Sequence, residues 1–465
     1  MKNIIFLLIL SFSTLATASD TFTYILKENQ KYENSFSVNI ANEATLHLVV
    51  VKNKETRMYD LLSFFMDAAG TIKELATTSF NDEPEPLSYH KTGNTITLLG
   101  FQDKTLSILD YNLENGEILK MEMEVDKKPE SVFVQENAVT IIISDKNGEN
   151  IEIVTIENTQ AINKKSIVVP KDYQNEIDNI FNGSPDIVDT NEFVKNGSIS
   201  ENQAYFSDGK FIVVNNEKQD ENMNVLIIDP NATNPIAKKN FTSSKLDKVK
   251  DSNNQVIDGK LFGMFLGKKD FSLSIFDLVS GAEEKNFLMS EDIAKMPKMR
   301  NTETYIEEAT RSKMRPTVSV NKTKKGNYAV VLDYVNKDTY RFYNDGMFMH
   351  MLMMQAMMHQ NMIMSRPSGF GPNPIEYEMD DLFFAEKSIP LYFTLDKDLN
   401  LLDENDDKTV HQYVDKEKYI NILKANKNQV NPTVGFLENE YRYMYTDKKE
   451  EKIFIQKREI KRRKK

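Results

Sequence analysis

Apolar residues in this chain gather in short runs, and each run is fenced by Gly, Asn or Asp. GNTITLLGF (93–101) followed by LSILDYNLENGEILKMEMEV (106–125) shows the full unit. It comprises a turn pair, an apolar run, a loop, a second run ending on Asp, a turn and a third run. The unit recurs as ENAVTIIIS (136–144) with IEIVTIEN (151–158), and as DGKFIVVNN (208–216) with VLIIDP (225–230). Further copies are DGKLFGMFLG (258–267) with LSIFDLVSGAEEKNFL (273–288), and GNYAVVLDYV (326–335) with LYFTLDKDLNLLDE (391–404). A first copy, ATLHLVVVK (44–52) with LLSFFMDAAGTIKELA (61–76), lacks the Gly, and ENEYRYMYT (438–446) with KIFIQKREI (452–460) ends the series at seven.

Val, Ile, Leu, Phe and Tyr fill these runs, which suits strands buried on a sheet face. Asp110, Asp229, Asp277 and Asp396 stand where a strand gives way to a turn, a place where a carboxylate can accept hydrogen bonds from the turn backbone. The pattern predicts an all-β chain of repeats. Glu43 to Asn94 is 51 residues and Asn94 to Asn137 is 43. A four-stranded propeller blade repeats every 40–50 residues or so, which fits these two gaps; later gaps lengthen through insertions.

The apolar-x-apolar-apolar-Asp, turn, third-strand pattern of LSILDYNLENGEILK and LSIFDLVSGAEEKNF resembles the blade core of β-propeller proteins, including WD-repeat and quinoprotein-like ones. The resemblance covers most of residues 44–460. The Trp-Asp dipeptide, the quinoprotein tryptophan signature and the Kelch double glycine are absent, so it implies a fold and carries over no functional residue. It implies seven four-stranded blades. The last copy has no sequence left for an outer strand, whereas TFTYILKEN (21–29) is a free β segment ahead of the first copy. Pairing the two removes an exposed edge. The competing architecture is a pair of β domains of another type.

Ahead of the repeats, MKNIIFLLILSFSTLATAS combines Lys2, an apolar run from Ile4 to Leu10 and an Ala16-Thr17-Ala18 pattern. That order is the signature of a secretory leader, and the run is too short for a membrane span. The expectation is a leader over 1–18 and a propeller domain over 19–460, with an insertion over about 344–387 and a basic tail over 461–465. The mature chain is expected to be periplasmic or secreted, with no transmembrane helix. With no Cys, disulfides, thiol nucleophiles and thiolate zinc sites are excluded, and burial must hold the fold. The net charge of −12, one unit more negative once Lys2 leaves with the leader, argues against nucleic acid.

Catalytic signals are sparse. Among the five histidines, His47 lies in an apolar strand and reads as a satisfied core or surface imidazole. No His-x-x-Glu-His, Gly-x-Ser-x-Gly or Walker-type loop occurs. Asp396-x-Asp398-x-Asn400 mimics calcium-loop spacing, but Leu401 stands where Gly is required, which favours a turn with a solvated acidic tip.

The anomaly is MFMHMLMMQAMMHQNMIM (347–364), which holds nine of the chain's 22 methionines within the sixth repeat. Met, Leu, Ala and Gln favour helix; Asp345 can cap its start and Pro367 can stop it. Its apolar residues, Met347, Phe348, Met351, Leu352, Met354, Met358 and Met362, offer a pliable docking surface for an envelope protein or a lipid surface. On a helix, His350, Met347, Met351, Met354 and Met358 share a face about 100° wide, which is a donor set suited to Cu(I). The functional expectation is therefore an exported, non-enzymatic scaffold or binding protein that docks through this insertion. The alternatives are a periplasmic Cu/Ag-binding protein and a propeller hydrolase with its site at the channel mouth.

Overall fold

The computed structural model describes residues 21–40, 44–102, 104–129, 131–135, 137–145, 147–183, 185–190, 193–194, 197–215, 222–246, 248–295, 302–338, 390–403, 429–437 and 440–459. The protein is all-β, with 58% strand against 7% helix. Along the chain, β1 (Thr21–Ile25) precedes a first sheet of β2 (Gln30–Ile40), β3 (Ala44–Asn53), β4 (Tyr59–Met66) and β5 (Ile72–Glu74), with β6 (Thr78–Phe80) also on β4. The second sheet is β7 (Glu85–Thr92), β8 (Thr95–Gln102), β9 (Thr105–Asn112) and β10 (Ile118–Glu124). The third is β11 (Ser131–Val134), β12 (Val139–Ser144), β13 (Asn150–Ile156) and β14 (Ile162–Val168).

In the fourth sheet a short parallel strand, β15 (Asp186–Ile187), joins β16 (Asn202–Ser207), β17 (Lys210–Asn215), β18 (Met223–Ile228) and β19 (Ile236–Phe241). The fifth is β20 (Asp251–Ile257), β21 (Lys260–Leu266), β22 (Phe271–Asp277) and β23 (Glu283–Leu288). The sixth holds β24 (Met314–Lys322), β25 (Tyr328–Asn336) and β26 (Leu391–Leu395), with a single bridge from Leu395 to Leu401. The seventh is β27 (Val430–Phe436), β28 (Glu440–Thr446) and β29 (Lys452–Glu459), and β1 completes it by pairing antiparallel with β29 from Thr21↔Gln456 to Ile25↔Lys452. The free amino-terminal β segment thus supplies the outer strand that the last repeat lacks.

Two compact units result. One holds the first and seventh sheets, the other the second to sixth. Within each, apolar layers lie between consecutive sheets, a propeller-like arrangement. Phe64, Met66, Met444, Ile453 and Ile455 fill one such layer. Leu99, Ile108, Ile141 and Val154 fill another, and Phe262, Leu273, Val330 and Phe393 a third. The first-to-second-strand turns use the residues the sequence offers: Asp208-Gly209 (φ 51° and 74°) and Asp258-Gly259 (φ 51° and 68°) both take the doubly left-handed form of a tight hairpin. Outer strands carry Lys120, Glu122, Lys164, Lys238 and Glu284, charges that keep an open edge from recruiting another chain.

The repeat pattern pointed to no helix outside the insertion, but the described residues include two. Helix α1 (Lys171–Asn182) buries Ile177, Ile180 and Phe181, and stacks Phe181 on Phe211 at 5.7 Å. Helix α2 (Thr302–Ala309) buries Tyr305, whose hydroxyl donates to Asp333 O at 2.8 Å. Met289–Ile293 adds one π-turn. Each caps an apolar layer between two sheets. No described helix is long and apolar enough to cross a membrane.

A recurring latch joins neighbouring sheets. Lys165 donates to Asn231 Oδ1, Lys239 to Leu278 O (2.9 Å) and Val279 O, and Lys285 to Asn400 Oδ1 (3.0 Å). In each case an outer strand grips the third-to-fourth-strand turn of the next sheet. Between the second and third sheets, His90 and Asp110 do the same work. His90 Nε2 lies 2.8 Å from Glu157 O, and Asp110 accepts from the Thr159 amide at 2.8 Å and its hydroxyl at 2.6 Å. Asp229, Asp277 and Asp396 cap their own turns as the sequence suggests. Asp110 does not; its buried carboxylate faces Thr97 and Thr159, and Asn112 caps the turn in its place.

Candidate functional site

Sequence reading missed the first strand of each sheet, and the polar residues gather there. In the first unit, Ser37 on β2 sits directly across from His47 on β3. Ser37 Oγ lies 2.7 Å from His47 Nδ1 and 2.7 Å from Thr433 Oγ1 on β27, so one hydroxyl ties the first strands of two sheets together. His47 is fully buried, and its Nε2 has no hydrogen-bond partner; Thr45 Oγ1 has none either. Arg442, only 1% exposed, reaches Glu440 Oε1 at 2.6 Å and Met66 O at 2.8 Å. Burial, and secondarily the Arg442 charge, push the His47 pKa down to about 3.

A Ser–His pair invites a catalytic reading, and the geometry answers it. General-base work at neutral pH needs a pKa near 7. An imidazole at about 3 is far too weak a base, and the Ser37 hydroxyl is already held by Thr433. Met66 and Met444 share the apolar layer of Phe64, which stands across from His47, but the Arg442 guanidinium opposes any cation at the ring. Among the described residues no group of three or more His, Asp or Glu could hold a metal. The expectation of a satisfied imidazole at His47 is corrected in part. It is a core residue, but only one ring nitrogen is bonded.

In the second unit, β20 reads DSNNQVI and is buried along its whole length. Its amides do the work of backbone. Asn253 accepts from Val318 N at 2.9 Å and donates to Ser198 O at 2.6 Å, while Gln255 both donates to Val320 O and accepts from Val320 N at 2.7 Å. Asn321 clamps Val194 in the same two-way fashion at 2.9 Å. The approach is close enough that a Cβ on Gly197 would lie 2.3 Å from Val318 O. Tyr205 donates to Gln203 Oε1 at 2.7 Å and faces Asn254 Oδ1 at 3.0 Å, and Ser198 donates to Asp186. Burial raises the Asp186 pKa, and the Ser198 bond offsets part of that. Asp251 and Arg315 approach to 3.1 Å as a largely buried ion pair. Asn253→Ala would strand a buried amide and a buried carbonyl, a loss of about 1–3 kcal/mol for each unsatisfied group, read as a lower urea midpoint with unchanged slope.

Asp396 accepts from the amides of Asp398 at 2.9 Å and Asn400 at 2.8 Å and from the Asn400 side chain at 3.2 Å. Those backbone bonds hold its pKa below the usual carboxylate range, as in a capped turn. Met347, Phe348, His350, Met351, Leu352, Met354, Met358 and Met362 lie outside the described residues, as do His359 and His411. The one signal that could have located the first-strand network is polar side chains in strands that are otherwise apolar: His47 within ATLHLVVV and the amide run SNNQ.

No protein-family model matches the chain, and no curated protein matches it. Among solved structures, an uncharacterized protein from Listeria monocytogenes aligns over 69% of this chain and 83% of its own, at 8% identity and a TM-score of 0.31. The Synechocystis apocarotenoid oxygenase aligns over 57% of this chain and 64% of its own, at 10% identity and a TM-score of 0.26. A prolyl endopeptidase, a propeller-like neighbour, aligns over 65% of this chain and 39% of its own, at 10% identity and a TM-score of 0.28. At such scores none of them bears on what this chain does.

Proposed function

We propose that the protein is an exported, non-enzymatic scaffold or binding protein of the cell envelope. In this reading it is a seven-bladed propeller that presents the Met-rich segment 347–364 to a protein partner or lipid surface. One observation carries it. Strands β25 and β26 are paired neighbours from Tyr328↔Leu395 to Leu332↔Leu391, yet residues 337–390 run between them. Neighbouring antiparallel strands need only a few residues to connect, and long connections are where folds keep binding elements. The first-strand polar groups support the non-enzymatic part, since Asn253, Gln255, Asn321, Ser37 and Thr433 are engaged in bonds from sheet to sheet.

Replacing 344–387 by a short Gly-Ser linker should leave thermal stability nearly unchanged and abolish capture of the partner from envelope extract. Partner capture that survives the replacement would refute the docking role. Leucine in place of the methionines separates docking from Cu(I) or Ag(I) binding at His350 and its neighbours. Docking keeps its apolar surface, whereas metal affinity needs the thioethers. Export is tested by amino-terminal sequencing of the native protein: a start near Ser19 supports it, and an intact Met1 opposes it.

A further inference from the structure

We propose that His47 is an acid-sensitive latch holding the first strand of the amino-terminal sheet to the first strand of the carboxy-terminal sheet. The connection runs His47 Nδ1, Ser37 Oγ, Thr433 Oγ1, with both steps at 2.7 Å, and it joins positions 396 residues apart in sequence. At neutral pH the ring is uncharged. With Nδ1–H donating to Ser37 and Ser37 donating to Thr433, the enclosed Nε2 is a bare lone pair, the form that the neighbouring Arg442 cation favours.

Protonation adds an N–H at Nε2. That group has no acceptor among the described residues, is fully buried, and places a second positive charge beside Arg442. The surroundings offer no relief. From β28 comes Arg442, which holds Glu440 at 2.6 Å; from β29 comes Lys457, bound to Ala69 O at 3.0 Å. From β4 come Phe64, directly across from His47, and Asp60 at the far end of the strand, bonded to Ser79. Strand β5 brings Glu74, which is exposed, and β1 brings Tyr24. Among the described residues no carboxylate is placed to accept from the new N–H, so the charge is relieved by water entering where β2 meets β27.

The sign follows. A histidine whose folded pKa lies below its unfolded value near 6.5 contributes stability at and above that pH, and loses it as pH falls toward the folded value of about 3. Between these limits one proton changes the open-to-closed ratio about tenfold per pH unit. The experiment is hydrogen exchange of β2 and β27 amides, corrected for intrinsic rates, at pH 7, 5.5 and 4. The wild-type protein and His47→Gln are compared, and the β20–β24 junction, which contains no histidine, serves as internal control.

Protection at β2–β27 should fall about tenfold per unit below pH 6 in the wild type, and the glutamine variant should lack that slope. Equal slopes in the two proteins overturn the proposal. If the variant does not fold, the wild type decides alone. A His47 ring resonance titrating near 6.5, or β2–β27 protection that falls no faster than at β20–β24, overturns it equally.

Discussion

Replacing Arg442 by alanine is expected to destabilise the unit of the first and seventh sheets by about 3–5 kcal/mol, the usual cost of removing one partner from a buried ion pair. Arg442 is 1% exposed and satisfies three acceptors at once: the Glu440 carboxylate, Met66 O at 2.8 Å and Ala68 O at 3.5 Å. The last two lie at the end of β4 and in its following turn, so the side chain fastens one sheet to the other. Truncation leaves a carboxylate without its cation and a buried carbonyl without a donor. Lysine should recover only part of the loss, because a single ammonium cannot reproduce the planar fork. Chemical denaturation measures the total, and hydrogen exchange shows where it falls. A midpoint shift worth less than about 1 kcal/mol would mean that the pair behaves like an exposed one.

A chain that starts at Lys27, lacking β1, should lose stability on a similar scale and should also self-associate. Strand β1 pairs with β29 along its whole length, and its aromatic rings meet Phe64 at 5.7 Å from Phe22 and 5.1 Å from Tyr24. Leu26 beside it is buried, which is worth about 2 kcal/mol on its own, and each ring pair adds about 0.5–1.5 kcal/mol. Its loss also bares the edge of KIFIQ, an apolar strand ready to pair with a second copy. Calorimetry and sedimentation velocity report the two effects. A synthetic peptide of residues 19–30 added back should restore the melting temperature. An unchanged melting temperature in the shortened monomer would show that β1 is ornamental.

Much of this architecture was legible in the sequence because several second and third strands are buried on both faces and read as apolar runs. Leu46 to Val51 and Phe262 to Leu266 are examples. Hairpin turns were legible at Asp208-Gly209, where backbone geometry demands those residues. The joining of residues 21–25 to β29 was legible from a shortage, a last repeat with one strand too few.

The first strands were not legible. Asn253 and Gln255 face the backbone of a neighbouring sheet, so their selection is for hydrogen bonds and leaves no hydrophobic period. Helix α1 carries its signal in Tyr173, Ile177, Ile180 and Phe181, at helical spacing. The repeat pattern masks it, because the helix falls between two copies. Asp110 carries the same local pattern as Asp277, and only the turn of the next sheet distinguishes their partners. The histidine junction needs a contact between residues 37 and 433, which no local window contains.

Several of the latches between sheets hold a backbone oxygen, although those at Asn231 and Asn400 hold a side chain. Lys239 holds the carbonyls of Leu278 and Val279, Lys457 holds the carbonyl of Ala69, and His90 holds that of Glu157. A main-chain oxygen is the same whichever side chain follows it. A turn gripped in this way can exchange nearly every residue without loosening its neighbour, provided the backbone keeps its path.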